Sequence, residues 1–132
     1  MERILDWNKY LDTAAKMVSQ GIVMLKNENN ALPLDTDKEV AVFGRIQFHY
    51  YTSGTGSGGM VNVTKVVNIL DGLIDNGVKV NEKLLDTYRK WDKENPFDLG
   101  EGWGGEPWSQ KEMPLDEGLV KETAKSCETA IV

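Results

Sequence analysis

A loop between residues 94 and 113 carries the side chains best suited to chemistry. Glu101 and Glu106 alternate there with Trp103 and Trp108, among glycines and prolines. Sugar sites combine these two residue types, because aromatic faces stack on the C–H surface of a pyranose while carboxylates hold hydroxyls or exchange protons. Spacing within a loop does not show that two carboxylates converge. We favour the simpler interpretation, in which the tryptophans pack the loop onto the domain and the acids face water.

A second candidate is the glycine-rich segment Gly54–Gly59, whose sequence satisfies G-x-G-x-x-G. In dinucleotide-binding folds this motif forms the tight turn directly between a strand and a helix. Here about ten residues separate Gly54 from Gly44, where the preceding strand is predicted to end. The segment is therefore a poor match for nucleotide binding. A role at the edge of a ligand stays open for residues 45–62, because open α/β sheets bind ligands beyond the carboxyl ends of their strands.

The other reactive residue types define no site. His49 is the only histidine, and no signature of a catalytic triad or metal site accompanies it, so we interpret it as a partly exposed loop residue. Cys127 stands alone beside an apolar run and is interpreted as a small core residue. We expect neither a metal nor a cofactor.

Charge and composition exclude several classes of protein. The 132 residues carry a net charge of -6, and nucleic-acid binding requires clustered Lys and Arg. Apolar runs such as Ile22–Leu25 are too short to cross a bilayer, and Glu2, Asp6 and Asp12 interrupt any apolar core of a signal peptide. One cysteine forms no internal disulfide and fits a reducing compartment. We predict a soluble, cytoplasmic, single-domain chain without nucleic-acid or membrane partners.

Residues 1–38 are predicted to form a leading helix and an extended arm. Apolar side chains share one stripe of a helix over residues 7–20, which Gly21 ends. Two short apolar runs follow, Ile22–Leu25 and Ala31–Leu34, with turn-forming residues between them. This pattern leaves two alternatives, a small hairpin or an irregular arm.

Residues 39–132 alternate predicted strands with predicted helices. The strands are Glu39–Gly44, Val78–Val80 and Thr129–Val132, and the first is short, apolar and rich in β-branched residues. Alternation of this kind predicts an α/β fold in which helices flank an open, mostly parallel sheet, as in a flavodoxin-like sandwich. The first strand is predicted to lie between the other two.

Helix-capping residues place the helices between these strands. Thr64 is predicted to cap a helix that has Val66–Val67 on its apolar face and ends at Asn76-Gly77. Asn81 and Asp116 are predicted to cap the two helices that follow.

Three stretches together resemble one protein family. Ala14–Leu34, with the end of the helix, the run Val23–Glu28 and the later Leu32-Pro33-Leu34, is similar to the segment that opens the second domain of family 3 β-glucosidases. Val40–Arg45 resembles the first strand of that domain. Tyr51–Gly58 resembles the glycine- and serine-rich loop that follows the strand. The chain is identified as a member of glycoside hydrolase family 3.

The resemblance implies the first part of an α/β sandwich domain and a retaining mechanism. In the family a separate barrel carries the aspartate nucleophile, and a later loop of the sandwich supplies the acid/base glutamate. No position here matches either residue, so no catalytic residue is assigned, and Glu101 and Glu106 are not promoted to that role. The candidates for loops near the substrate are Arg45, Tyr51, Ser53, Thr55 and Ser57, with Glu101, Trp103, Glu106 and Trp108 as weaker candidates.

The last residues, Ala130–Val132, resemble the start of a buried strand. We therefore expect a chain shortened within the sandwich domain, lacking the barrel, from a member that places this domain first. It would be a non-catalytic part of a β-glucosidase, whose substrate is a β-glucoside or oligosaccharide. The alternative is a free-standing module that binds a sugar or nucleotide at Gly54–Gly59. Exposed sheet edges are expected to pair between copies of the chain.

Overall fold

The structure, a computed structural model, describes residues 5–50, 66–102 and 104–132 of the chain. The chain divides into two compact units, Met1–Pro33 and Leu34–Val132. The first unit contains α1 (Trp7–Gly21). The second contains β1 (Glu39–Val42), a 3-10 turn (Arg45–Gln47), α2 (Ile69–Asp75), β2 (Lys79–Val80), α3 (Glu82–Glu94), α4 (Glu117–Ser126) and β3 (Thr129–Ile131). Within the described ranges, no helix has the length and apolar character needed to cross a membrane.

The predicted leading helix is confirmed as α1. Its N-terminus is capped by Asp6, whose carboxylate accepts a hydrogen bond of 3.1 Å from the backbone N–H of Lys9. The rings of Trp7 and Tyr10 meet edge to face, with centroids 5.8 Å apart. No side chain of α1 is buried, so its apolar stripe, including Leu11, is exposed.

The arm after α1 is irregular, which decides between the two alternatives for residues 22–34. No strand forms there, and the side chain of Asn27 bonds the backbone across the turn. Its amide donates to the carbonyl of Leu32 at 2.9 Å and accepts from the N–H of Leu32 at 3.0 Å. Asn29 and Asn30 make the turn between them in the left-handed region, with φ values of 54° and 55°.

The second unit is built on a parallel three-stranded sheet in the order β2-β1-β3. Val40 of β1 is in register with Val80 of β2 and Thr129 of β3. The predicted α/β class, the parallel sheet and the central place of the first strand are therefore confirmed. Because all three strands are parallel and β1 is central, the carboxyl end of β1 lies beside those of both neighbours.

Both faces of β1 are buried, as its continuous apolar sequence predicts. Successive side chains of a strand point to opposite faces. Val40 and Val42 accordingly join one core cluster, which includes Leu70 of α2, while Ala41 joins another that includes Tyr88 of α3. Cys127 is buried in this second cluster, where it serves as the small core residue that was predicted.

The start of α2 differs from the prediction. The helix begins at Ile69 and is capped by Asn68, whose side chain accepts a hydrogen bond of 2.7 Å from the N–H of Asp71. Val66–Val67 therefore precede the helix, and Thr64 lies outside the described residues. Asn is a stronger N-cap than Thr, so the cap nearest the apolar residues of the helix sets its first turn.

The other predicted helix boundaries are confirmed, whereas β1 ends at Val42, two residues before the predicted Gly44. Gly77, with φ of +77°, follows the last turn of α2 in the conformation that glycine adopts most readily. Asn81 caps α3 by accepting from Leu84 at 2.9 Å. Asp116 caps α4 through the N–H groups of Gly118 and Leu119.

Candidate functional site

The carboxyl end of β1 is tied by hydrogen bonds to α3 and to the segment before α4. Gly44 has φ of +97° and directs the chain out of the sheet. Its N–H donates to the hydroxyl of Tyr88 at 2.9 Å, and the next N–H, that of Arg45, donates to both carboxylate oxygens of Glu112 at 2.7 and 2.9 Å. The backbone that leaves β1 is therefore held on two sides.

Tyr88 is enclosed in this junction, and its environment changes its acidity. Burial raises the pKa of the Tyr88 phenol above its ordinary value, the hydrogen bond from Gly44 acts in the opposite direction, and the Glu112 carboxylate adds to the rise. The phenol is accordingly neutral at physiological pH and serves as a hydrogen-bond acceptor for the strand end.

The guanidinium of Arg45 links three chain segments inside the protein. Only 3% of the side chain is exposed. It donates to the Asp92 carboxylate at 2.7 Å, to the Asn95 carbonyl at 2.7 Å and to the Lys111 carbonyl at 2.9 Å. Its Nε has no hydrogen-bond partner among the described residues. These bonds anchor both ends of the loop 94–113 to β1. Whether Arg45 also lies near substrate, as predicted, stays a prediction.

Two aromatic rings complete the surroundings of Arg45. The guanidinium carbon lies 5.0 Å from the ring centroid of Trp91 and 5.4 Å from that of Phe97, within the range of cation–π attraction. A buried guanidinium between rings and carbonyls is held in one geometry, so it positions the neighbouring Asp92.

His49 is the second partner of Asp92. Its Nε2 lies 2.8 Å from Asp92 Oδ2, while Arg45 bonds the other carboxylate oxygen. The imidazole stacks on Phe97, with centroids 4.8 Å apart and planes inclined by 28°. About a third of the side chain, 34%, is exposed. The sequence correctly placed His49 in a partly exposed loop but did not reveal its aspartate partner, which lies 43 residues away.

A cleft of about 260 Å³ opens beside His49 at this end of the sheet. It is lined by Phe48, His49, Tyr50, Val66, Phe97, Leu99 and Glu106. Aromatic rings and one carboxylate thus face the cleft, and its described lining includes no Lys or Arg. Ligand pockets combine apolar walls with a few polar groups in this way. We define these seven residues as the strand-end cleft.

The glycine-rich segment starts and ends next to the strand-end cleft. Tyr50 and Val66, which flank residues 51–65, both line it. The predicted candidates within the segment lie outside the described residues, namely Tyr51, Ser53, Thr55 and Ser57. Their predicted place near the substrate stays a prediction.

The weaker candidates on the loop 94–113 differ in whether they line the cleft. Glu106 lines the cleft, whereas Glu101 is exposed, and Trp108 is 88% exposed. Trp103 lies outside the described residues. Since Glu101 does not line the strand-end cleft, the two glutamates do not meet there as a pair.

The loop 94–113 closes on itself by short-range bonds. The side chain of Gln110 accepts from the Asp98 N–H at 3.0 Å and donates to the Asp98 carbonyl at 2.7 Å. Gly100, with φ of +68°, approaches Gly105 so closely that an added Cβ would collide with the Gly105 carbonyl. These contacts hold the part of the loop that leads to Glu106.

A larger groove, of about 430 Å³, lies between α3 and α4. Its lining comes from those helices and their ends, and it includes the ion-paired Lys83 and Glu122. It draws nothing from the loop after β1, where open α/β sheets bind ligands. The strand-end cleft is therefore the stronger candidate despite its smaller volume.

A known protein family matches the segments of this chain from which the resemblance was predicted. The sequence pattern described as the glycosyl hydrolase family 3 C-terminal domain matches residues 22–132. The chain belongs to glycosyl hydrolase family 3. The resemblance predicted from Gly21–Leu34 and Val40–Arg45 is confirmed.

Two curated relatives of this family 3 chain are β-glucosidases. It is 59% identical over 127 residues to "Beta-glucosidase" of Ruminococcus albus, covering 96% of the chain and 13% of that protein. It is 29% identical to "Beta-glucosidase A" of Butyrivibrio fibrisolvens, covering 99% of the chain and 15% of that protein. The chain thus spans about a seventh of the length of these relatives.

Solved structures of β-glucosidases share the fold of this family 3 chain. The enzyme from Paenibacillus barengoltzii superposes with a TM-score of 0.77 at 55% identity, covering 83% of the chain and 12% of that structure. β-Glucosidase 3B from Thermotoga neapolitana, in complex with glucose, superposes with a TM-score of 0.75 at 27% identity, covering 95% of the chain and 17% of that structure.

Proposed function

We propose that this chain forms one wall of the sugar pocket of a β-glucosidase. The supporting observation is the strand-end cleft, where Phe48, Tyr50 and Phe97 offer apolar faces beside the carboxylate of Glu106. The relatives named β-glucosidase match nearly the whole chain. Loops 45–62 and 94–113 would face the sugar, with Tyr51, Ser53, Thr55 and Ser57 on the first of them.

The catalytic step belongs to parts of the longer protein. In a retaining glycosidase one carboxylate attacks the anomeric carbon and a second carboxyl group protonates the leaving oxygen, the two being about 5–5.5 Å apart. We place both groups outside residues 1–132, with the nucleophile on the missing barrel. Residues 39–132 supply the first part of the sandwich domain and residues 1–38 lead into it.

The chain alone is expected to be inactive, because both catalytic groups are placed outside residues 1–132 and the described lining of the cleft has one carboxylate, that of Glu106. The measurement is hydrolysis of an aryl β-glucoside by the purified chain against a blank without protein. Glu106→Gln and Glu101→Gln are the matched variants. Turnover that survives repurification and disappears in Glu106→Gln would contradict a non-catalytic role.

The cleft favours a neutral sugar over a nucleotide. Glu106 and the net charge of -6 repel phosphates, and the described lining has no Lys or Arg to bind them. The cleft's volume of about 260 Å³ has room for a small ligand such as a single sugar ring. We expect the chain to bind glucose and cellobiose weakly and saturably in a titration. Saturable binding confined to a nucleotide would favour a free-standing module at Gly54–Gly59 instead.

We further propose a cytoplasmic protein that associates with itself through its sheet edges. The single cysteine supports a reducing compartment. Edge strands present unpaired N–H and C=O groups that pair with another chain, and β3 lies at an edge of the described sheet.

A further inference from the structure

Asp92 determines which nitrogen of the His49 imidazole faces a hydrogen-bond acceptor. A carboxylate only accepts hydrogen bonds, so the nitrogen that faces Asp92 must carry a proton. That nitrogen is Nε2, at 2.8 Å from Oδ2. In the neutral ring Nδ1 then has a free lone pair, and no described residue is bonded to it.

The orientation of the ring is set from two further directions. Arg45 binds the other oxygen of Asp92 at 2.7 Å, which prevents the carboxylate from turning away. Phe97 stacks on the imidazole with centroids 4.8 Å apart. A side chain held by a hydrogen bond and a ring contact loses little entropy when a ligand binds.

We propose that His49 is a specificity-determining residue that accepts a hydrogen bond from a sugar hydroxyl at Nδ1, with Asp92 as its positioning residue. The inference rests on the proposed function, because it assumes a sugar in the strand-end cleft that His49 lines. It adds a residue from outside the glycine-rich segment to those that contact the sugar.

The polar groups of the cleft agree with a ligand rich in hydroxyl donors. Nδ1 of neutral His49 and the Glu106 carboxylate both accept hydrogen bonds, and hydroxyl groups supply the donors they need. A ligand without donors would leave both acceptors unpaired inside the site, which costs affinity.

Nitrogen NMR tests the inference directly, because His49 is the only histidine and its two ring nitrogens give two resonances. The whole chain, uniformly labelled with 15N, is titrated with glucose at a pH where the ring-nitrogen shifts show a neutral imidazole. We expect the Nε2–H tautomer before glucose is added. Glucose should move the Nδ1 resonance towards the protonated value, with the same saturation as the Tyr50 and Val66 amides.

Two variants separate recognition from support of the fold. His49→Phe retains a ring against Phe97, and His49→Gln retains a group that reaches Asp92, but neither has an acceptor at Nδ1. Each should bind glucose roughly 2- to 12-fold more weakly, the range that one net hydrogen bond supplies.

The outcomes distinguish this inference from the proposed function. If glucose moves the Tyr50 and Val66 amides but not Nδ1, and His49→Gln binds as the unaltered chain does, the role of His49 is overturned while the sugar cleft stands. If glucose moves no resonance of the chain, the proposed function fails and the inference fails with it. A Nδ1–H tautomer before titration contradicts the role assigned to Asp92.

Discussion

At the end of β1, the ion pair of Arg45 and Asp92 is the contact on which the cleft depends. The Arg45 side chain is 3% exposed and that of Asp92 19%. Removing one partner of such a pair leaves the other charge without compensation in a poorly hydrated site. The Asp92 carboxylate also bonds His49, which lines the cleft. The same carboxylate therefore stabilises the fold and positions a residue of the cleft wall.

Asp92→Asn is expected to lower the free energy of unfolding by about 3 kcal/mol, the lower end of the range for a broken buried pair. The lower end applies because Arg45 keeps its two carbonyl partners. Urea unfolding measures the loss. The matched control is Glu117→Gln, which breaks the exposed pair with Lys121 and should cost no more than about 0.5 kcal/mol. Equal effects of the two substitutions would contradict a buried pair.

Tyr88 makes the stability of the junction sensitive to alkaline pH. Its pKa in the folded protein is raised above the value of about 10 for an unfolded chain. Its contribution to stability is therefore fully present below pH ~10 and is lost as pH rises further, because only the unfolded state ionises at first.

Tyr88→Phe should remove that part of the pH dependence. At pH 8 the variant loses about 1–3 kcal/mol, because the N–H of Gly44 no longer has its acceptor. The stability difference from the unaltered protein should shrink from pH 9 to 11.5, measured by urea unfolding. Lys38 also has a raised pKa, caused by its bond to Glu128. Because both proteins contain Lys38, its effect cancels in the stability difference between them. If the stability of the variant and that of the unaltered protein fell in parallel over this pH range, the pH dependence would not come from Tyr88.

Among the elements, the loop 94–113 does most to shape the cleft. Its ends are anchored by Arg45, and its middle is closed by the bonds of Gln110 to Asp98. It contributes Phe97, Leu99 and Glu106 to the lining. The affinity of the cleft for sugar should therefore depend on the closed form of this loop.

Gly100→Ala is expected to open the loop, since the added Cβ would collide with the Gly105 carbonyl. Gly102→Ala is the matched control: its φ of +71° is similar, but nothing lies within 4 Å of the added atom. We expect Gly100→Ala to bind glucose about tenfold more weakly than Gly102→Ala, which corresponds to ~1.4 kcal/mol of loop displacement. Titration of both variants measures the ratio. Equal affinities would show that loop closure does not shape the cleft.

For the whole molecule, the described sheet has an edge at β3. Ala130, in the middle of β3, is exposed. An exposed edge without charged side chains favours pairing with a second copy, whereas a lysine there opposes it.

We expect light scattering to show oligomers that grow with protein concentration. Ala130→Lys should reduce them, because a charge at the edge must be desolvated when strands pair. Ala124→Lys places the same charge on the exposed surface of α4 and should leave association unchanged. A monodisperse monomer at high concentration would contradict edge pairing.

Local features of this fold could be predicted because they depend on neighbouring residues. Asn81 and Asp116 cap helices with their own side chains, and Gly77 ends α2 by its backbone freedom. The apolar run of β1 indicated a strand buried on both faces. The start of α2 was predicted wrongly, because more than one residue of the sequence could cap the helix. The conformation of the arm was left undecided, because the bond of the Asn27 side chain to the Leu32 backbone was not apparent from the sequence.

The sequence by itself determined the order of the elements, the α/β class and the family, since each of these depends on periodicity, caps or short strings. Only the tertiary structure showed which residues come together at the strand-end cleft. Arg45, His49 and Asp92 meet because the chain after β1 packs against α3 and the loop 94–113. His49 and Asp92 are 43 residues apart in sequence, and Arg45 and Glu112 are 67 residues apart. Many long-range pairings satisfy the same hydrophobic pattern, and the packed core selects one of them.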